Sequence, residues 1–304
     1  MKNTPALYDL HLHTYWSYDA LADPEVHFRR ARELGLRCLA ITEHHNLDAL
    51  PDLVRIAADY PDIRWIVAAE LTVNTSIGAV DLLCYGLPLQ PCGLLAQVLD
   101  EYHEWQRAAG AARVRQMQAL GFDYSSEEHL ALLRSYRPER TLERQGATHV
   151  RGKTEIDYFI RRGFIANPGE RAALLQRLPK ELATPCYPSV ERVVPAVKQA
   201  GGLVVIAHPA GYFQDRNRQR MDALREECGL DGIECAHRSV HPEQTAFYRA
   251  YCREHGLLST GGSDSHDNED VLTPPEQWGH TREKRFACHL GEEAWLDEFL
   301  ERLP

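Results

Sequence analysis

No run in this 304-residue chain approaches the ~18 consecutive apolar residues that a membrane-spanning helix needs. The opening stretch, Met-Lys-Asn-Thr-Pro-Ala-Leu-Tyr-Asp, has no apolar h-region, so no secretory leader is expected. No Cys-x-x-Cys pair occurs among the eight cysteines, at 38, 84, 92, 186, 228, 235, 252 and 288. Eight in a chain this long do not make a disulfide scaffold, and they read as reduced core residues of a cytoplasmic protein. Repeats and low-complexity tracts are missing too. So is any excess of positive charge: 34 Lys and Arg stand against 44 Asp and Glu, a net charge of −10. That disfavours a long footprint on nucleic acid or an anionic membrane, while leaving room for a local basic pocket. With 44% hydrophobic and 26% charged residues, the composition is that of a folded globular chain.

What is present follows a strand–helix rhythm. Residues 6–13 are strand-like, Asp23 and Pro24 form a helix start, Gly35 supplies the stop, and 38–42 is a short apolar strand. This spacing predicts parallel pairing. Further strands are expected at 65–70, 79–86, 201–208, 231–235 and 257–264, with helices between them, such as 190–200. Short apolar strands without alternation are buried on both faces, which predicts an α/β barrel. The rhythm breaks between 91 and 184, where helices are expected at 94–120, 126–135 and 154–162. The expected organisation is therefore a barrel made of 1–90 and 185–304, interrupted by a helical insertion or cap at 91–184, with a closing amphipathic helix at 292–303.

The chemistry lies where the strands end. His11 and His13 stand at i and i+2 on one strand, so both imidazoles face the same side. Other predicted strands run out at Glu43-His44-His45, Glu70, His208, and Asp264-Ser265-His266. In a barrel, C-terminal strand ends converge on one mouth. Burying so many imidazoles and acids together without cations would cost several kcal/mol. Shared cations remove that cost.

Taken together these segments resemble the PHP family (polymerase and histidinol phosphatase). The family's opening His-x-His matches His11 and His13, and a further ligand six residues on matches Asp19. Its Thr-Asp/Glu-His motif matches Thr42-Glu43-His44, its lone glutamate Glu70, its Ala-His-Pro motif Ala207-His208-Pro209, and its closing Ser-Asp-x-His Ser263-Asp264-Ser265-His266. One more family histidine is best matched by His149, although Ala147-Thr148 stand where insertion-bearing relatives often carry an Arg.

The resemblance implies a distorted (β/α)7 barrel with a helical insertion and two to three divalent ions. The first ion would be held by His11, His13, Glu70 and Asp264. The second would be held by Glu70, His149 and His208, and the third by Asp19, His44 and His266. Six imidazoles with three carboxylates suit Mn²⁺, Zn²⁺ or Fe²⁺. The implied reaction is hydrolysis of a phosphate ester by a hydroxide that bridges two cations.

Around this centre, His45 and His237 are the nearest candidates for proton donor. Arg151 and Lys153, flanking a helix start, are candidate phosphate contacts, or else solvated surface charges. Arg238 is a third candidate. Glu234 either contacts substrate or pairs with a nearby base. Tyr15 and Trp16 either wall the pocket or pack on a neighbouring loop. The histidines at 27, 103, 129, 255, 280 and 289 read as surface or core.

The expected activity is a metal-dependent phosphoesterase for a small phosphorylated metabolite: a nucleotide bisphosphate, a phosphosugar or a cyclic phosphate. The alternatives are a 5′-to-3′ exonuclease on short RNA or DNA and amidohydrolase-type chemistry. No membrane and no obligate protein partner are expected.

Overall fold

Seven strands lie side by side in chain order: β1 (Tyr8–Leu12), β2 (Cys38–His44), β3 (Arg64–Thr75), β4 (Gly78–Tyr85), β5 (Leu203–Ile206), β6 (Gly232–Ala236) and β7 (Leu258–Gly261). The computed structural model describes residues 6–268, 286, 287 and 289–304. The sheet curls until its last strand meets its first. His13 N–H donates to the Ser265 carbonyl at 2.9 Å, and Asp264 N–H donates to the His11 carbonyl at 2.8 Å. The α/β class and the seven-stranded distorted barrel are thus as expected. Among the described residues, no helix is long and apolar enough to cross a membrane.

Local chemistry explains the opening unit. Asp23 accepts from the Glu25 N–H at 2.9 Å, Pro24 begins α1 (Pro24–Leu34), and Gly35 ends it at φ 69°. Elsewhere the strands depart from the expected parallel pattern. β3 does not stop at Glu70; it runs on to Thr75 and turns back into β4, which lies antiparallel to both β3 and β5. One strand therefore points the other way, and its N-terminal half reaches the mouth of the barrel.

Side chains such as Leu10, Ala40, Ala68, Leu83 and Val205 form an inner apolar cluster. α11 (Glu293–Arg302) adds Leu296 and Phe299 to it, with the Phe299 ring edge-on to Tyr85 at 5.0 Å. The outer helices include α2 (Leu50–Ala57), α8 (Val190–Gln199), α9 (Arg218–Glu227) and α10 (Pro242–His255). Five cysteines are buried and free as expected. Cys92, at the residue preceding a helix, and Cys186, outside helix and strand, are exposed instead, and Cys288 lies outside the described residues.

Five helices follow β4: α3 (Gly93–Ala119), α4 (Ser126–Arg134), α5 (Glu139–Gln145), α6 (Gly152–Arg161) and α7 (Glu170–Gln176). Leu95, Val98, Leu99 and Tyr102 from the first half of α3 belong to the main core. Val114 and Met117 from its second half join a separate cluster with Tyr124, Leu133, Phe159 and Leu174. α5 is clamped to the barrel by two acids, the half-buried Asp48 and the buried Asp52. Asp48 accepts from His103, Arg144 and Gln145, each at 2.9 Å, and Asp52 accepts from Arg140 and the Trp16 indole, also at 2.9 Å. Tyr15 and Trp16 are spent on this packing. At Gly110, a Cβ would come within 2.2 Å of the Ala147 carbonyl, so only glycine lets the segment leading to His149 cross α3 this closely.

Candidate metal centre

Four of the expected histidine ligands sit around one carboxylate. Glu70, fully buried, has Oε2 at 3.2 Å from His11 Nε2, His13 Nε2 and His44 Nδ1, and Oε1 at 3.1 Å from His208 Nε2. Asp264 Oδ1 lies 3.6 Å from His11 Nε2 and 3.4 Å from His13 Nε2. His266 Nε2 approaches Asp19 Oδ2 at 3.2 Å, and His44 Nε2 approaches Asp19 Oδ1 at 3.5 Å.

The hydrogen-bond partners fix which ring nitrogen faces inward. Ser17 gives its one hydroxyl proton to Glu43, so its oxygen accepts from His13 Nδ1 at 3.2 Å. His11 Nδ1 donates to Glu234 Oε1 at 3.0 Å, and His266 Nδ1 donates to the Asp264 carbonyl at 2.8 Å. The Nε2 lone pairs of all three are then left for the centre. Those of His11 and His13 face each other 3.1 Å apart, beside two carboxylate oxygens. Four acceptors pointing at one another are a poor arrangement for protons and a good one for a cation, so the residues fit divalent metal. Among the described residues, the groups of ligand atoms close enough to share an ion include His11–His13–Glu70, His13–His44–His266 and Glu70–Asp81–His208.

Asp81 was not anticipated. It lies on β4, across from Thr72, where its Oδ2 is 3.6 Å from His208 Nε2. Thr72 and Tyr212 each donate to it at 2.6 Å. His149 belongs to none of these groups. Its ring lies against Tyr18 at 3.6 Å and Trp105 at 5.3 Å, its buried Nδ1 has no partner, and burial drives its pKa down to about 3.

The remaining expected residues separate clearly. Glu234 holds two ligand segments, accepting from the His11 ring and from the His208 N–H at 2.6 Å. Arg238 donates to Asp264 Oδ2 at 3.0 Å, inside the centre. His237 accepts the Ser239 N–H on Nδ1, so the neutral ring carries its proton on Nε2, 3.7 Å from Asp264 Oδ2. Arg151 is at the rim, 3.3 Å from Asp267, whereas Lys153 is exposed and paired with Asp157 at 2.6 Å. His45 bonds Thr72 at 2.8 Å and stacks on Tyr102, and burial holds it neutral. His27, His129 and His289 each face a backbone carbonyl, in keeping with a core role. His280 lies outside the described residues. His45, His208 and Asp264, just past their strands, have φ of 64°, 28° and 55°; three non-glycine residues held this way mark strain gathered at one place.

The charges of the centre predict a pH signature. Burial opposes a charged His44, but Asp19 and Glu70 outweigh it and raise its pKa to about 9. Despite burial, His266 followed by His44 holds Asp19 well below its ordinary range, and His11 followed by His44 does the same to Glu70. With a chelator present, the imidazolium contribution to stability is whole below the ordinary histidine pKa of ~6.5 and disappears as pH rises through about 9. The carboxylate contribution is present above ~4 to 4.5 and disappears as pH falls below it. Buried neutral histidines such as His45 and His149 pull the other way as pH falls below ~6.5, so chelated protein should melt highest near pH ~6.5. Excess Mn²⁺ should move that maximum upward, because protonated imidazoles cannot ligate. Melting curves across pH with chelator and with Mn²⁺ check this, and coincident profiles would contradict it.

A second expectation concerns Glu234. Its substitution by Gln should weaken cation affinity by about 10- to 100-fold while the ligands stay in place. Competition against a metallochromic chelator measures it.

Residues 9–178, more than half of the chain, match the PHP domain. The 5′-3′ exoribonuclease Rnm of Escherichia coli (strain K12) is 27% identical over 312 residues, covering 98% of this chain and 93% of the relative. The 3′,5′-nucleoside bisphosphate phosphatase of Chromobacterium violaceum is 26% identical over 262 residues, covering 85% of this chain and 86% of the relative. A structure from Bifidobacterium adolescentis, of a protein assigned as a metal-dependent phosphoesterase, aligns at a TM-score of 0.69 with 25% identity, covering 97% of this chain and 96% of the other. With this match spanning the first four strands and most of the following helices, and the motif residues gathered at one rim, the chain belongs to the PHP domain family.

Proposed function

We propose that the protein is a metal-dependent hydrolase of phosphate esters, acting on a small phosphorylated metabolite of nucleotide type. The observation that carries this reading is the sharing of Glu70 among His11, His13, His44 and His208. We assign one cation position to His11, His13, Glu70 and Asp264, a second to Glu70, His208 and Asp81, and a third to Asp19, His44 and His266. The donor set suits Mn²⁺, Zn²⁺ or Fe²⁺. When bound, such ions supply Lewis acidity at phosphorus and an activated water at neutral pH.

The chain's own groups do the rest. Arg238 binds a phosphoryl oxygen from beside Asp264, and Arg151 contributes charge at the rim. His237 donates its Nε2–H as a hydrogen bond to the phosphoryl or leaving oxygen and so stabilises charge there. Glu234 and Ser17 keep the imidazole lone pairs directed inward. Residues 91–184 act as the cap that shapes the substrate side.

Metal analysis of purified protein, together with phosphate release from a phosphoester panel, tests the reading. Fewer than two transition ions per chain and no metal-stimulated release would end it. The second reading, trimming of short RNA, draws support from the exoribonuclease relative aligned over 98% of this chain. Turnover of a 3′,5′-nucleoside bisphosphate against a short RNA at equal concentration separates the two.

A further inference from the structure

A groove of about 390 Å³ opens between α3 and the segment entering α8, lined by Trp105, Tyr187, Glu104, Cys186 and Arg192 among others. Its floor is a stacked pair, with the Trp105 and Tyr187 rings 4.2 Å apart and inclined by 27°. The pair is pinned in place. The Trp105 indole N–H donates to the Pro185 carbonyl at 2.9 Å, and the Asn74 side chain on β3 donates to the Tyr187 carbonyl. It also reaches inward. Both rings lie within 5.6 Å of His45, whose Nε2 bonds Thr72 at 2.8 Å, the residue that donates to Asp81 at 2.6 Å. One rigid aromatic platform thus runs from the Glu70–Asp81–His208 group out to solvent. Trp105 is buried, whereas Tyr187 is only partly so, which leaves aromatic surface toward the groove.

We infer that this groove is a nucleobase subsite, stacking the base of a nucleotide whose phosphate lies at the candidate metal centre; the inference rests on the phosphoesterase reading above. Two observations choose a base over a second phosphate. The rim is acidic: Glu101 is tied to Arg192 at 2.6 Å, and Glu104 is exposed with no ion pair among the described residues, so an anion would be repelled. The floor is a flat aromatic surface, which binds any base through its π-face. Base–aromatic stacking of this kind corresponds to about five- to hundredfold in affinity.

The test compares kcat/KM for a 3′,5′-nucleoside bisphosphate with that for the matching base-free ribose bisphosphate, in Mn²⁺-loaded protein. The wild type should prefer the base-bearing ester by about tenfold or more. Tyr187→Leu should bring the ratio to within about threefold of unity, while Tyr187→Phe, which keeps the ring, should preserve it. Ala108→Trp, placed at an exposed helix position on the groove wall, should abolish the preference without touching the core. A wild-type ratio near one, or a ratio unaltered in both Tyr187→Leu and Ala108→Trp, overturns the subsite and leaves the phosphoesterase reading standing. If neither ester is turned over, that reading falls instead. Calorimetric binding of adenosine 5′-monophosphate against ribose 5-phosphate then decides the subsite by itself, equal affinities overturning it.

Discussion

Replacing Glu70 with Gln should lower phosphoester turnover by more than about 10³-fold and remove at least one bound cation per chain. The glutamine keeps the volume and one acceptor oxygen but removes the charge that four imidazoles share. Removing one partner of a buried ionic group can also destabilise by about 3–5 kcal/mol. Here the loss should be smaller, because the imidazoles can release protons as the carboxylate disappears. Metal analysis, single-turnover rates and a melting curve on the same sample distinguish the two effects. A variant that melts like the wild type, retains its metal and still turns over would show that Glu70 is not the hub.

Gly262→Ala should be nearly as damaging by a different route. An added Cβ would meet His11 Cβ at 2.3 Å, His11 N at 2.7 Å and Glu234 Oε1 at 3.0 Å. Two of these three are backbone or near-backbone atoms that cannot swing aside, so β1 and β7 must separate where the barrel closes. Overpacking of this kind typically costs about 1–3 kcal/mol, and here it falls on a ligand and its supporting acid. The expected result is a lower melting temperature together with loss of metal, and added Mn²⁺ should recover only part of the stability. Wild-type metal content in the Gly262→Ala variant would refute the close contact.

Much of the centre was readable in the chain because most of its motifs sit at the ends of parallel strands, with Glu70 inside β3 as the exception. His11, His13, Glu70, His208, Asp264 and His266 come together as their spacing implied. Asp81 escaped because β4 runs against its neighbours, so its contribution to the mouth comes from the beginning of the strand. A Gly78 turn after an alternating stretch was the available signal for a hairpin. α5 and α7, seven residues each, are too short for helical periodicity to register. The position of His149 depends on how α3 crosses its segment at Gly110, a long-range contact that local pattern does not encode.

One hydroxyl ties several of these pieces together. Ser17, two residues before Asp19 in the chain, receives the His44 N–H on its Oγ at 2.9 Å together with the His13 ring, and passes its own proton to Glu43. Ligands belonging to two neighbouring ion positions therefore hang on a common pivot and cannot loosen one at a time. Exchanging Ser17 for alanine should uncouple them, so that a chelator titration that empties the wild type in a single wave becomes stepwise.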